Sequence, residues 1–158
     1  MLRILFYSPA NKFHVPILLF RIALGLFFFA SGFNKLFVPE NQKIMLETIT
    51  DAGFPMPALV AVFVASCETI FGMFLAMGLL TRLSALFLMI ISIVALLTVG
   101  IHQIPSGLNA MTWYSWLFYL PEGSYILIAL SLIVQGCGPA GVDQWIYRRL
   151  GKSAANSA

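Results

Sequence analysis

A single carboxylate lies near the middle of a long apolar run of this chain, which makes it the first residue to consider for chemistry. Glu68 is placed about halfway along residues 57–80. Roughly 20 apolar residues, rising 1.5 Å each, cross a hydrocarbon layer about 30 Å thick. An ionisable group near the middle of such a span costs on the order of 2.5 kcal/mol or more, so we expect it to face protein and to have a partner. Such groups often mark functional sites, so Glu68 is a candidate functional residue.

Depth along the helices predicts which cation pairs with Glu68. The first apolar run carries Arg21 about 9 Å to one side of its middle and Lys35 about 12 Å to the other, at 1.5 Å per residue. The long guanidinium of Arg21 can extend toward the centre, whereas Lys35 can reach the headgroups and needs no partner. Arg21 is therefore the expected partner. Two interpretations stay open: an ion pair that only fixes helix register, or a Glu68 that accepts protons or binds a ligand in a cavity.

Small residues accompany these charges at steps of three and four. Such spacing places them on one face of each helix and lets two backbones approach closely. We expect the first two helices to pack antiparallel along these faces, with their charges turned inward. The two sets are Arg21, Gly25, Phe28, Gly32 and Lys35, and Ala61, Ala65, Glu68, Gly72 and Ala76.

A second group of polar residues lies where the outer ends of the helices are expected, and it predicts a pocket that opens outward. Its members, beside Lys35, are Asn34, His102, Glu122 and Tyr125. His102 is either an interfacial hydrogen-bonding residue or a ligand contact, and an imidazole is suited to proton exchange.

Aromatic side chains fill the loop that precedes the last apolar segment. Trp113 is accompanied there by Tyr114, Trp116 and Tyr119. Such rings are typical of the belt at a membrane interface. The alternative, with Trp113 as a ligand contact, is stacking against a bound ring.

The composition indicates an integral membrane protein of one domain, residues 1–158. Hydrophobic residues make up 60% of the 158 residues and charged residues only 9%, whereas globular domains carry about 25% charged residues. The net charge of +3 is small and concentrated toward the ends of the chain. It therefore indicates membrane topology and not nucleic-acid binding.

Four apolar segments predict an all-α, four-helix membrane bundle. The spans are expected at about 16–38, 57–80, 83–104 and 119–136. An even number of spans places both termini on one side of the membrane. Short interfacial helices are predicted in the outer loops, the first of them over residues 41–52, where apolar residues recur at helical spacing.

Basic residues predict that both termini are cytoplasmic. The outer loops carry only Lys43 beyond the membrane end, and cationic residues favour the cytoplasmic side. The basic residues on the terminal side are Arg3, Lys12, Arg82, Arg148, Arg149 and Lys152. Because Arg21 interrupts the first apolar run, which also continues beyond Gly32, we expect a retained helix and not a cleaved signal peptide.

Several chemistries are excluded by the residues present. His14 and His102 are expected on opposite membrane faces, so they cannot ligate one haem from two sides. Cys67 and Cys137 differ by about 15 Å in expected depth, beyond the roughly 4.4–6.8 Å typical of bridged Cα atoms. No metal-ligand, P-loop or dinucleotide motif occurs. We therefore predict no haem, flavin or metal cofactor.

These features together resemble the DoxX family of small four-helix bacterial membrane proteins. The resemblance extends from Arg21 to Asp143. It rests on an ordered set of motifs: Arg21-x3-Gly25, Gly32-x2-Lys35, Glu68 with Gly72, Gly78-x2-Thr81-Arg82, and Gly136-x-Gly138 with Asp143. At the last motif, similar proteins often carry Gly-Pro-Gly followed by Ser-Leu-Asp. This chain keeps the glycines and Asp143 but differs in the residues between Gly138 and Asp143.

The resemblance implies a protein of the bacterial inner membrane and leaves two functions open. The family takes its name from a subunit associated with thiosulfate oxidation and quinone reduction. One function is a quinone-linked redox subunit, in which Arg21, Glu68, Lys35 and His102 bind the quinone or aid proton transfer. The alternative is a non-enzymatic chaperone, anchor or scaffold for a redox or metal-handling partner. Small-solute transport is disfavoured because no inverted repeat is present.

The expected partners are the lipid bilayer and another protein, which is either a different chain or a second copy of this one. A partner is expected because the chain lacks a motif for carrying electrons alone.

Overall fold

The computed structural model describes residues 14–138 and 141–155, and this part of the chain is helical without any strand. The prediction of an all-α fold is confirmed. A 3₁₀ turn, Gly100–Gln103, follows the fourth of seven α-helices. The helices are α1 (His14–Phe37), α2 (Pro39–Asp51), α3 (Pro57–Met77), α4 (Thr81–Thr98), α5 (Ala110–Tyr119), α6 (Pro121–Gln135) and α7 (Val142–Ala155). Arg3 and Lys12, which carry part of the topology prediction, lie outside the described residues.

Three helical segments of the described chain are long and apolar enough to cross a membrane. They are Val15–Phe37, Pro57–Met77 and Thr81–Gln103. A fourth crossing exists if α5 and α6 form one span, although the two helices are bent by 73° relative to each other. Pro121 explains the bend, since it cannot continue a helix and holds the preceding Leu120 in an extended conformation. The chain therefore has three or four candidate spans.

Polar and apolar side chains are distributed as in a protein surrounded by lipid. The buried side chains include the charged Arg21, Glu68 and Asp143. Large apolar side chains such as Leu59, on α3, and Leu97, on α4, are exposed instead. A soluble protein would expose the charges and bury the apolar groups, so this arrangement fits a hydrocarbon surrounding.

Helices α1 and α3 form the most extensive helix pair and pack antiparallel, as the small-residue spacing predicts. A Cβ atom added to Gly25 would collide with the backbone of Ala76, and one added to Gly32 would lie 2.6 Å from the carbonyl oxygen of Ala65. Gly72 lies equally close to the backbone of α1 at Phe29. Glycine at these positions therefore allows the two backbones to touch.

The apolar core lies between α1, α3, α4 and α6. Helix α4 packs against α6 and α3, and α6 also contacts α1. The side chains at the centre of this core are Leu24, Phe28, Leu75, Ala85, Leu88, Ala129 and Leu132.

Two short helices lie in the expected outer loops. Helix α2 covers residues 41–51 of the predicted segment 41–52; it begins with Pro39 at its first turn and buries only Ile49. Helix α5 contains Trp113 and buries none of its residues.

Candidate functional site

Glu68 forms a bidentate ion pair with Lys35 between α1 and α3. The Nζ atom of Lys35 lies 2.8 Å from Oε1 and 2.8 Å from Oε2 of Glu68. Ser31, one helical turn before Lys35, donates a hydrogen bond of 3.3 Å to Oε2. The Glu68 side chain is only 5% exposed, whereas that of Lys35 is 26% exposed. The carboxylate is therefore buried, and its cationic partner keeps contact with the surroundings.

The prediction that Arg21 pairs with Glu68 is wrong, and helix register is the reason. The glycine contacts set Gly25 beside Ala76 and Gly32 beside Ala65. In this register the middle of α3 lies opposite the last third of α1, an offset of about 10 Å at 1.5 Å per residue. The prediction compares the depths of Arg21, Lys35 and Glu68 as if the middles of α1 and α3 lay side by side, which ignores this offset. The actual register brings Lys35 to Glu68.

Arg21 lies at the other end of the α1–α3 pair, where it packs against two glycines. Its guanidinium donates a hydrogen bond to the backbone carbonyl of Cys137. A Cβ atom at Gly78 would lie 2.5 Å from the Nη1 atom of Arg21, and one at Gly141 would lie 2.8 Å from it. The side chain is buried. Arg21 therefore joins the start of α1 to the α3–α4 turn and to the segment that follows α6.

Asp143 supplies the N-terminal cap of α4 from a distant part of the chain. Its Oδ1 accepts a hydrogen bond of 2.7 Å from the N–H of Leu80, and its Oδ2 accepts one of 2.9 Å from the N–H of Thr81. The Asp143 N–H in turn donates to the carbonyl of Gly78. A carboxylate at a helix N-terminus satisfies unpaired N–H groups and complements the helix dipole. Asp143 is 1% exposed, so this carboxylate is fully enclosed.

The sequence interpretation missed the capping role of Asp143, although a signal exists. Helix α4 begins after Leu80, which has no side-chain oxygen and adopts a left-handed φ of 46°. An N-terminus without Ser, Thr, Asp or Asn needs a donated cap. Asp143 is the acid nearest the end of the last apolar segment.

Cys137 is a buried free thiol in the same region. Burial raises the pKa of Cys137 above its ordinary value, and the negative charge of Asp143 raises it further. Cys67 is also free, in agreement with the prediction that the two cysteines form no disulfide.

The residues predicted to line a pocket that opens outward lie on several different helices. Asn34, His102 and Trp113 are exposed, and none of the three side chains forms a hydrogen bond or ion pair with a described residue. Their prediction as ligand contacts is not tested by this arrangement.

Tyr125 and Glu122 begin α6 and point to different neighbours. The Tyr125 ring packs on Phe27 and Phe28, at centroid distances of 4.6 Å and 5.5 Å. The Oε2 atom of Glu122 is buried near Gly100 without a hydrogen-bond partner among the described residues.

The pair Lys35–Glu68 has two chemical capacities. An ammonium group has three N–H donors, and two acceptor oxygens of Glu68 engage it. A donor therefore remains for a carbonyl or other acceptor that reaches Lys35. A carboxylate can take up or release a proton. Among the described residues, no group of three or more His, Cys, Asp or Glu side chains could hold a metal ion.

The comparisons with known proteins show a family but no individual relative. The DoxX family model matches residues 17–101, which is more than half of the chain. The matched segment contains both members of the Lys35–Glu68 pair and ends before α5. No curated protein and no solved structure matches the chain significantly. The family match, together with the candidate membrane spans, identifies the chain as a member of the DoxX family.

Proposed function

We propose that this protein is the membrane subunit of a quinone-linked redox system and that Lys35 and Glu68 form its quinone headgroup site. The observation that carries the proposal is the asymmetric burial of the pair, in which an enclosed carboxylate is held by a partly exposed ammonium group. Accessibility of Lys35 is what a ligand arriving from the lipid phase requires.

The donor set fits a quinone headgroup. A quinone presents two carbonyl oxygens, which accept hydrogen bonds, and takes up two electrons and two protons on reduction. Lys35 would donate to one carbonyl, and Ser31 offers a hydroxyl one turn away. Glu68 would hold Lys35 in place and exchange the proton. Electrons would come from a partner protein, since the chain is predicted to hold no haem, flavin or metal.

Arg21 has no part in this proposed site. It lies at the opposite end of the α1–α3 pair and bonds to the backbone near Cys137. The other predicted ligand contacts remain predictions: Asn34, His102, Trp113, Glu122 and Tyr125. If substituting them lowers the amount of bound quinone, the site extends beyond Lys35 and Glu68; if it does not, the site is confined to that pair.

The experiment is a measurement of quinone bound to the purified protein. The protein is extracted in mild detergent, and its lipids are analysed for quinone by chromatography. We expect near-stoichiometric quinone in the unaltered protein and a loss of most of it in Glu68→Gln and Lys35→Gln. Glu47→Gln is the matched control, because Glu47 is an exposed carboxylate in a surface ion pair with Lys43. A well-folded, unaltered protein without quinone would refute the proposal.

The alternative is a non-enzymatic chaperone, anchor or scaffold. It is favoured by the closed hydrogen bonding of Glu68, whose two oxygens are already engaged within the protein. On this view the charges only hold α1 and α3 together. Isolation of the native complex after crosslinking in the cell tests it: the scaffold requires a partner protein that stays bound in Glu68→Gln, and the absence of any partner would remove its support.

We also propose that the bundle has four spans, with both termini in the cytoplasm of a bacterium and the spans in its inner membrane. The distribution of basic residues supports this topology. The bent α5–α6 pair would be the fourth span.

A further inference from the structure

We propose that α7 is a membrane-surface helix that binds the headgroups of anionic lipids. This inference is independent of the quinone site, which lies at the other end of the α1–α3 pair. It rests on the attachment of α7, on the side chains that it exposes, and on its charge.

The attachment places α7 at one end of the membrane-spanning helices. Asp143, in its first turn, bonds to Leu80, in the turn between two candidate spans, and to Thr81, the first residue of the second of them. The N–H of Asp143 donates to Gly78 in the same turn. A helix fixed at the point where a span ends lies at the height of the membrane surface and not far from it.

The face that α7 turns away from this attachment combines apolar and cationic side chains. Trp145 is 55% exposed, and Val142 and Arg148 are exposed at the same three-residue spacing. With 3.6 residues per turn, Trp145 lies about 200° around the helix from the buried Asp143. Tryptophan beside arginine on the open face of a short helix is typical of helices that lie in the interface plane.

Charge identifies the occupant of this face. The sequence of α7 contains Arg148, Arg149 and Lys152, and its one acid is Asp143. The Asp143 carboxylate is buried and engaged with α4, so it does not offset the cations. Basic residues at a membrane surface attract anionic headgroups. At the membrane level where α7 is fixed, anionic lipids are present at high local concentration.

The experiment measures which lipid touches Trp145. A variant with Trp113→Phe and Trp116→Phe leaves Trp145 as the single tryptophan, and it is reconstituted in vesicles that contain brominated lipids. Bromine quenches tryptophan fluorescence on contact. We expect brominated phosphatidylglycerol to quench Trp145 roughly twofold more than the same fraction of brominated phosphatidylcholine, and the difference to shrink at high salt.

Two further variants make the result decisive. Neutralising α7 with Arg148→Gln, Arg149→Gln and Lys152→Gln should remove the preference while keeping quenching by both lipids. Lys43→Gln, which removes a cation from exposed α2, is the matched control and should leave the preference unchanged. The proposal is overturned if neither lipid quenches Trp145, as expected for a helix covered by protein or water. Equal quenching by both lipids in the original α7 sequence would also overturn it.

Discussion

At the scale of single residues, the bidentate contact between Lys35 and Glu68 determines what each side chain can do. Both carboxylate oxygens face one ammonium group, so the negative charge of Glu68 is compensated by Lys35 and does not need bulk water. Removing one partner would leave a buried, unpaired group, which costs more than the pair contributes. Lys35 is the point of access, since it is the exposed member.

Asp143 provides a prediction about stability. Asp143→Ala removes two charge-assisted hydrogen bonds from the first N–H groups of α4, so we expect a loss of about 2 kcal/mol in the free energy of unfolding. Asp143→Asn keeps one acceptor oxygen and should lose less. SDS-induced unfolding from mild detergent micelles measures both.

Asp51→Ala is the control for Asp143, because Asp51 is an exposed acid at the end of α2. Equal stability of Asp143→Ala and Asp51→Ala would show that the α4 cap contributes nothing.

Cys137 provides a prediction about pH. The thiolate is the reactive form, and burial together with Asp143 raises the pKa of Cys137. Maleimide labelling of Cys137, in a Cys67→Ala background, should therefore reach half of its maximum rate at a higher pH than an ordinary cysteine does. The reference is Ser106→Cys in an otherwise cysteine-free chain, since Ser106 is exposed. A midpoint equal to that of the reference would contradict the raised pKa.

At the scale of helices, the close approach of α1 and α3 sets the register of the whole site. We expect Gly72→Val to force the helices apart, since even a Cβ atom there would lie 2.9 Å from the carbonyl oxygen of Gly25. A loss of several kcal/mol is expected, as for overpacked cores. Ala58→Val, at an exposed position of α3, should change stability by less than about 0.5 kcal/mol. The measurement is unfolding in detergent, and similar stability of the two variants would mean that the contact is not tight.

The same helix pair shows how far the sequence predicts this site. The three- and four-residue spacing of glycines identifies the packed faces, and the antiparallel direction follows from the two helices being successive spans. It does not predict the offset along the axis, because that offset depends on which glycine meets which backbone atom. Glu68 is therefore identified from the sequence, while its partner is Lys35 and not Arg21.

Other elements show which local signals are weak. The fourth segment is shorter than the predicted span 119–136, because Pro121 separates α5 from α6. Helix α7 follows a Gly- and Pro-rich stretch and is not predicted, since its 14 residues are too short and too polar to be read as a membrane span. Long-range bonds such as that from Asp143 to α4 leave no periodic pattern at all.

At the scale of the whole molecule, the inverted distribution of polarity indicates a lipid environment, and the number of spans sets the topology. If α5 and α6 cross the membrane together, the termini lie on the same side. We expect a fluorescent protein fused to either end to fluoresce in the cytoplasm, and alkaline phosphatase fused to either end to be inactive. Active phosphatase at the carboxyl terminus alone would indicate three spans.

The most direct test of the central claim, that Lys35 and not Arg21 holds Glu68, is a double-mutant cycle on unfolding in detergent. Lys35→Met and Glu68→Gln should each destabilise the protein, and the double variant should lose about 1–3 kcal/mol less than the two losses added together. Arg21→Met combined with Glu68→Gln should be additive within about 0.5 kcal/mol. Additive losses for Lys35 and Glu68, with coupling between Arg21 and Glu68, would contradict the account.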